Sequence, residues 1–177
     1  MLFSAPLPYC SDATAYYAAI ADLPWAVWLD SGGRDRYDIL TAQPVVTLVT
    51  QGAQTEISTT AGICHSTADP FDLLREELGI KLESVPDIKF AGGALGYWGY
   101  DLARRLSDMP GQAQDAEKLP AMAIGIYDWA LQLDHQKQTA QLISHNRYPE
   151  TAKLIPQILL RLQEQNYASA ESFRVHG

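Results

Sequence analysis

Apolar residues recur along this chain in two rhythms, and the switches between them mark out its elements. Over residues 11–23, Ala13, Tyr16, Tyr17, Ile20 and Leu23 fall at helical spacing, Ser11 or Asp12 can cap the segment and Pro24 closes it, so a helix is predicted there. The next run, Trp25 to Asp30, is rich in strand formers and ends in Ser31-Gly32-Gly33, which is turn chemistry. Strands are predicted from Arg36 to Ala42 and from Val45 to Gln51, where Val, Thr and Leu alternate. The three would form a meander, and a weaker strand is placed at Glu56–Thr60, after the turn at Gly52.

Asp69-Pro70 opens a second helix, with the carboxylate as cap and proline at the first helical position. Phe71, Leu74 and Leu78 give it one apolar side, and Gly79 ends it. Residues 80–89, with Pro86 and their charges, read as a connection. The most hydrophobic run, Met122 to Leu133, is predicted as one long strand. His135 to Gln138 turns it into a partner at Thr139–Ser144, which makes a hairpin. A last helix over 150–165 carries Leu154, Ile158, Leu159 and Leu162 on one side, with Pro156 kinking it or delaying its start. Residues 109–118 are polar and turn-prone, and 166–177 hold few core-forming side chains, so the latter are predicted to be a linker or frayed tail after a domain at 1–165.

One stretch breaks both rhythms. Phe90 to Arg105 places Gly92, Gly93, Gly96 and Gly99 among aromatic residues, although glycine weakens strands and helices unless something must come close to the backbone. The spacing matches neither a P-loop, which needs a Lys-Ser/Thr after its glycines, nor a dinucleotide-binding turn. The segment therefore reads as a strand whose glycines admit a neighbouring layer, after which Tyr100-Asp101 turns the chain into a short helix ending at Arg104-Arg105.

The 177 residues suffice for one ordinary domain with a substantial core. A formal net charge of −8, without any basic run, argues against binding nucleic acid, which depends on Lys and Arg neutralising phosphates. Cys10 and Cys64 lack metal-type spacing and read as isolated thiols, which sets a cytoplasmic expectation. No basic, apolar leader opens the sequence, and no run approaches the ~20 apolar residues of a membrane span.

Self-contained catalytic constellations are missing from the pattern. His65, His135, His145 and His176 show no zinc-type spacing, and neither Ser31 nor the two cysteines has a local activating base. Asp128, inside the most apolar strand, either faces water or is a buried, partnered carboxylate. The turn from Leu29 to Asp38 is richer, since it gathers carboxylates, a hydroxyl, guanidinium groups and a ring. A zwitterionic amino acid would use such a set, and a solvated hairpin tip with neutralising charges would show it too.

Three blocks carry a family resemblance: Pro24-Trp25-Ala26-Val27-Trp28-Leu29-Asp30-Ser31-Gly32 followed by Arg36-Tyr37-Asp38-Ile39; Gly92 to Asp101; and Leu119 to Trp129. In order and spacing they resemble the N-terminal region of the chorismate-utilising synthases, most nearly the aminodeoxychorismate synthase branch and next the anthranilate synthase branch. The resemblance implies an α+β fold of mainly antiparallel sheet with flanking helices, part of an α/β/β/α architecture. It implies amination of chorismate to 4-amino-4-deoxychorismate on the way to para-aminobenzoate and folate, with ammonia from a glutamine amidotransferase subunit. The chorismate and Mg2+ sites of such enzymes belong to a C-terminal domain whose motifs are not found in this sequence, so the chain itself is expected to hold no cofactor and to have no turnover. It reads as a piece of a longer protein or as an isolated N-terminal domain. A free-standing module for an amino acid or a partner subunit is the reading outside the family.

The family's effector pocket implies a further set of residues. Leu29-Asp30-Ser31 matches the segment beside which related enzymes hold tryptophan, as feedback inhibitor or retained structural ligand, with Asp30 in place of a glutamate. Leu29 and Ser31 are carried over by that match, with Arg36, Tyr37 and Asp38 as neighbours across the turn. Gly92, Gly93, Gly96, Gly99, Tyr100 and Asp101 are carried over as a structural signature.

Overall fold

A computed structural model describes residues 2–100, 102–103 and 119–165, the last without its side chain. The structure holds two five-stranded antiparallel sheets and a few helices, an α+β architecture. Its residues fall into two compact units, Met1–Gln43 with Asp87–Ala91 and Asp128–Gly177, and Pro44–Pro86 with Gly92–Tyr127.

The first unit contains β1 (Phe3–Leu7), α1 (Thr14–Ala18), β2 (Val27–Leu29), β3 (Tyr37–Thr41), β9 (Trp129–Asp134), β10 (Thr139–Ser144) and α3 (Pro149–Gln165), with strands in the order β1-β10-β9-β3-β2. Alternation along β9 divides its side chains between the two faces of the sheet. Trp129, Leu131 and Leu133 join Leu40, Leu142, Tyr16, Ile20, Ile155, Ile158 and Leu162 in one buried cluster, so α1 and α3 cover that face. Gln132 and Asp134 point to the opposite face, both buried, and there Gln132 bonds the backbone of residues 87–89.

The second unit contains β4 (Val46–Gln51), β5 (Gln54–Thr59), β6 (Gly62–Ser66), α2 (Pro70–Leu78), β7 (Gly93–Trp98) and β8 (Met122–Tyr127), with strands in the order β6-β5-β4-β8-β7. Leu48, Ile57, Ile124 and Ile126 form its core with Leu73 and Leu74 of α2. The helix begins as the sequence demands, since the Asp69 carboxylate accepts the Phe71 N–H at 2.7 Å with Pro70 at the first position.

The glycine-rich strand is explained by its neighbour. A Cβ at Gly96 would lie 2.1 Å from the Ala123 carbonyl oxygen and 2.9 Å from the Ile124 Cα, so only glycine allows β7 to approach β8 this closely. Gly92 and Gly93 have positive φ, Gly99 N–H donates to the Ala121 carbonyl at 2.8 Å, and Tyr100 is exposed. Leu102 and Ala103 are helical. Asp101, Arg104-Arg105, the 109–118 stretch and the 166–177 tail lie outside the described residues.

Several expected elements change. The long strand over 122–133 is two strands in different sheets, because the chain leaves β8 at Tyr127 and enters β9 at Trp129. Asp128 between them is buried and partnered: its carboxylate accepts the Tyr148 N–H at 3.1 Å, and its carbonyl accepts the Ser144 hydroxyl at 2.5 Å. The meander is also divided, since β3 pairs with β9 while β4 pairs with β5 and β8. The first helix has five residues, because after Ala18 the backbone bonds tighten to Ile20–Tyr17 and Leu23–Ile20, one residue short of α spacing. Strands β1 and β6 were not predicted, and α3 runs from Pro149 with Pro156 inside it, so proline does not delay its start. No helix among the described residues is long and apolar enough to cross a membrane.

Candidate functional site

The β2–β3 hairpin in the first unit builds the candidate site. Its strands are in register with Leu29 opposite Ile39, and β3 continues against β9 with Tyr37 opposite Asp134 and Ile39 opposite Gln132. Directly opposed residues share a face, so Leu29, Tyr37 and Ile39 stand together on the side away from α1 and α3. With Asp30, Ser31, Asp35, Arg36 and Lys89 they line a solvent-open hollow of about 580 Å³.

The turn that shapes its rim is held by its own side chains. Asp30 Oδ1 accepts the Gly32 N–H at 2.7 Å, and Gly32 and Gly33 sit at φ +60° and +68°, where a side chain is strained. Asp35 Oδ1 takes the Arg36 N–H at 2.6 Å. Asp38 closes the turn from the other face of the sheet: its Oδ1 accepts the Ser31 N–H at 2.7 Å, and the residue is 3% exposed. The Ser31 hydroxyl oxygen is buried without a hydrogen-bond partner, an exception among buried polar groups.

Behind Asp38 stands His135. Its Nδ1 lies 3.0 Å from the Tyr9 hydroxyl, and its Nε2 lies 3.2 Å from Asp38 Oδ2, close enough for an ion pair but too poorly aligned for a hydrogen bond. Cys10 is a free thiol whose pKa is pushed up by burial and by the Asp12 and Asp38 carboxylates, so it is a poor thiolate.

Arg36 is engaged inside the protein. Its Nε and terminal nitrogen donate to the two oxygens of Asp134 at 2.9 and 2.7 Å, a bidentate pair, and the same terminal nitrogen reaches Asp87 at 3.2 Å. The Arg36 guanidinium holds the Asp134 carboxyl at about 2, helped by the Lys137 and Gln136 N–H groups. Asp87 is also held low, first by Lys137, whose ammonium donates to it at 2.7 Å. The guanidinium stacks 4.7 Å from the centre of the Tyr37 ring, and the Lys89 ammonium lies 5.5 Å from it.

Of the five residues selected from the sequence, Leu29, Ser31, Arg36 and Tyr37 line the hollow, while Asp38 lies beneath the turn and orients Ser31. Asp30, Asp35, Ile39 and Lys89 line it without having been selected, and Asp87, Asp134 and His135 support it. One signal for the supports was present: Gln132 and Asp134 alternate with leucines in an otherwise apolar strand, which marks a second, polar-lined face. Lys89 had no local signal, because it is placed by the bond from its N–H to Gln132 Oε1 at 2.7 Å, 43 residues away. Among the described residues no group of three or more His, Cys, Asp or Glu side chains could hold a metal ion.

No protein-family model matches the sequence. Component 1 of aminodeoxychorismate synthase from Escherichia coli (strain K12) is 43% identical over 141 residues, covering 76% of this chain and 31% of that protein. The component of the same name from Salmonella typhimurium is 44% identical over 148 residues, 79% of this chain and 33% of that one. Anthranilate synthase component 1 from Thermus thermophilus is 30% identical over 141 residues, 79% of this chain and 30% of that one. The crystal structure of anthranilate synthase component I from Streptococcus pneumoniae TIGR4 superposes with a TM-score of 0.65 at 23% identity, covering 94% of this chain and 38% of that one, which shows a shared fold. The chain thus spans about a third of the length of the curated relatives it matches.

Proposed function

By sequence the chain belongs with the component 1 chains of the chorismate-utilising synthases, and on that footing we propose that it is a non-catalytic portion of an aminodeoxychorismate synthase component 1. The observation that supports this branch is 44% identity to a relative of that name, against 30% to one named anthranilate synthase. The enzyme it serves aminates chorismate to 4-amino-4-deoxychorismate in the cytoplasm, with ammonia from a glutamine amidotransferase subunit and with Mg2+ and chorismate held by the rest of component 1.

The chain's own contribution is the hollow beside β2. Leu29, Ile39 and the Tyr37 ring offer an apolar floor, Asp30 and Asp35 offer carboxylates for an ammonium, and the Ser31 hydroxyl awaits a partner. This is the chemistry of an amino-acid site, with tryptophan as the first ligand to try.

The anthranilate synthase relative supports a second reading, in which the same hollow senses tryptophan as a feedback inhibitor. Product analysis separates the two. The full polypeptide that carries this sequence, given chorismate and an ammonium salt, is expected to yield 4-amino-4-deoxychorismate. Anthranilate as the product would move the assignment to the second branch.

A further inference from the structure

The hollow must answer a carboxylate as well as an ammonium if its ligand is an amino acid, and the structure shows which cation is available for that. Arg36 is the cation the turn sequence points to, yet its guanidinium already gives two bonds to Asp134 and one to Asp87. Turning it outward would leave Asp134, 3% exposed, as an unpaired buried carboxylate, an arrangement that strongly disfavours the move.

Lys89 stands in the opposite condition. It lines the same hollow, its ammonium forms no ion pair among the described residues, and it lies 5.5 Å from the centre of the Tyr37 ring. Its backbone is fixed nonetheless. Gln132, buried at 1% in the centre of the sheet, accepts the Lys89 N–H at 2.7 Å and donates to the Asp87 carbonyl at 2.8 Å, so the lysine rises from a segment pinned at two points. Ser31, whose buried hydroxyl is unsatisfied, is another residue of the same lining.

We propose that Lys89 is the specificity-determining residue of this hollow, receiving the carboxylate of a free α-amino acid whose apolar side chain rests on Leu29 and Ile39. Arg36 is then a positioning residue that holds the Tyr37 ring against its guanidinium. This rests on the reading of the hollow as an amino-acid site. It adds a consequence that reading does not contain: the site discriminates by the ligand's carboxylate, and the discrimination belongs to one side chain on residues 87–91 and not to the hairpin.

Calorimetric titration of the full chain tests it with two probes, tryptophan and tryptamine, which differ only in the carboxylate. The wild-type chain should prefer tryptophan by about two- to fivefold, the range expected for one partly exposed ion pair. Lys89→Met should abolish the preference by weakening tryptophan alone, Lys89→Arg should keep it, and circular dichroism should show both variants folded. A Lys89→Met chain that still prefers tryptophan would overturn the assignment while leaving the hollow as the site. If the wild-type chain binds neither probe at millimolar concentration, the amino-acid reading itself falls, and this inference with it.

Discussion

Replacing Gly96 by alanine adds a single methyl group at the point where β7 comes closest to β8. The added carbon would sit 2.1 Å from the Ala123 carbonyl oxygen and 2.9 Å from the Ile124 Cα, both backbone atoms that no side-chain rotation can move aside. Reaching an ordinary contact requires the strands to part by more than an ångström, and Gly96 also sits at φ +157°, at the margin of the region that favours glycine. Overpacking of this kind costs about 1–3 kcal/mol. Losing one or two of the ladder bonds flanking the Gly96↔Ile124 pair adds about 1 kcal/mol each. The sum, roughly 2–5 kcal/mol, is a large share of what a domain of this size has in total. With a urea dependence of about 2 kcal/mol per molar, the midpoint should fall by about 1–2.5 M. Gly32→Ala is the control: its φ of +60° is strained for alanine, yet nothing lies within 4 Å of the new carbon, so it should lose about 1 kcal/mol and about 0.5 M. Urea unfolding followed by circular dichroism compares them. If the Gly96 variant melts with the wild type, or no earlier than the Gly32 variant, then close approach of the strands is not the reason for the glycine.

Two further predictions concern stability. Asp134 has its carboxyl held at about 2 by Arg36, below its ordinary 3.8, so its contribution is complete above pH 4 and is lost as pH falls through 3.8 toward 2. Solvent screening of the partly exposed Arg36 keeps it to about 1 kcal/mol. Asp134→Asn should remove that part of the acid dependence of the urea midpoint, and an unchanged acid limb would refute the pair's role. Asp69→Ala removes the carboxylate that accepts the Phe71 N–H at 2.7 Å and should cost about 1 kcal/mol, read as a lower midpoint at neutral pH.

What could be read from the sequence was what local chemistry decides. The cap and proline at Asp69-Pro70, the turn at Ser31-Gly32-Gly33 and the β9–β10 hairpin each depend on residues within a few positions of one another, and each is present. The division at Asp128 depends on partners that only the fold supplies, Ser144 and Tyr148, 16 and 20 residues away. A hint lay in length, since an unbroken strand over 122–133 is about twice the usual five or six residues. The same limit applied at the hollow. Leu29, Ser31 and Tyr37 are neighbours in one hairpin and were visible together. The pairing that occupies Arg36 spans 98 residues, and the placement of Lys89 depends on Gln132, so which cation the hollow has to spare was not legible from the hairpin alone.

The central claim, that this chain supports catalysis without performing it, meets its most direct test in an assay of the chain alone. Incubated with chorismate, an ammonium salt and Mg2+, it should consume no chorismate above a protein-free control when the mixture is followed by chromatography. Chorismate loss that scales with the amount of chain, with appearance of 4-amino-4-deoxychorismate or anthranilate, would contradict the account.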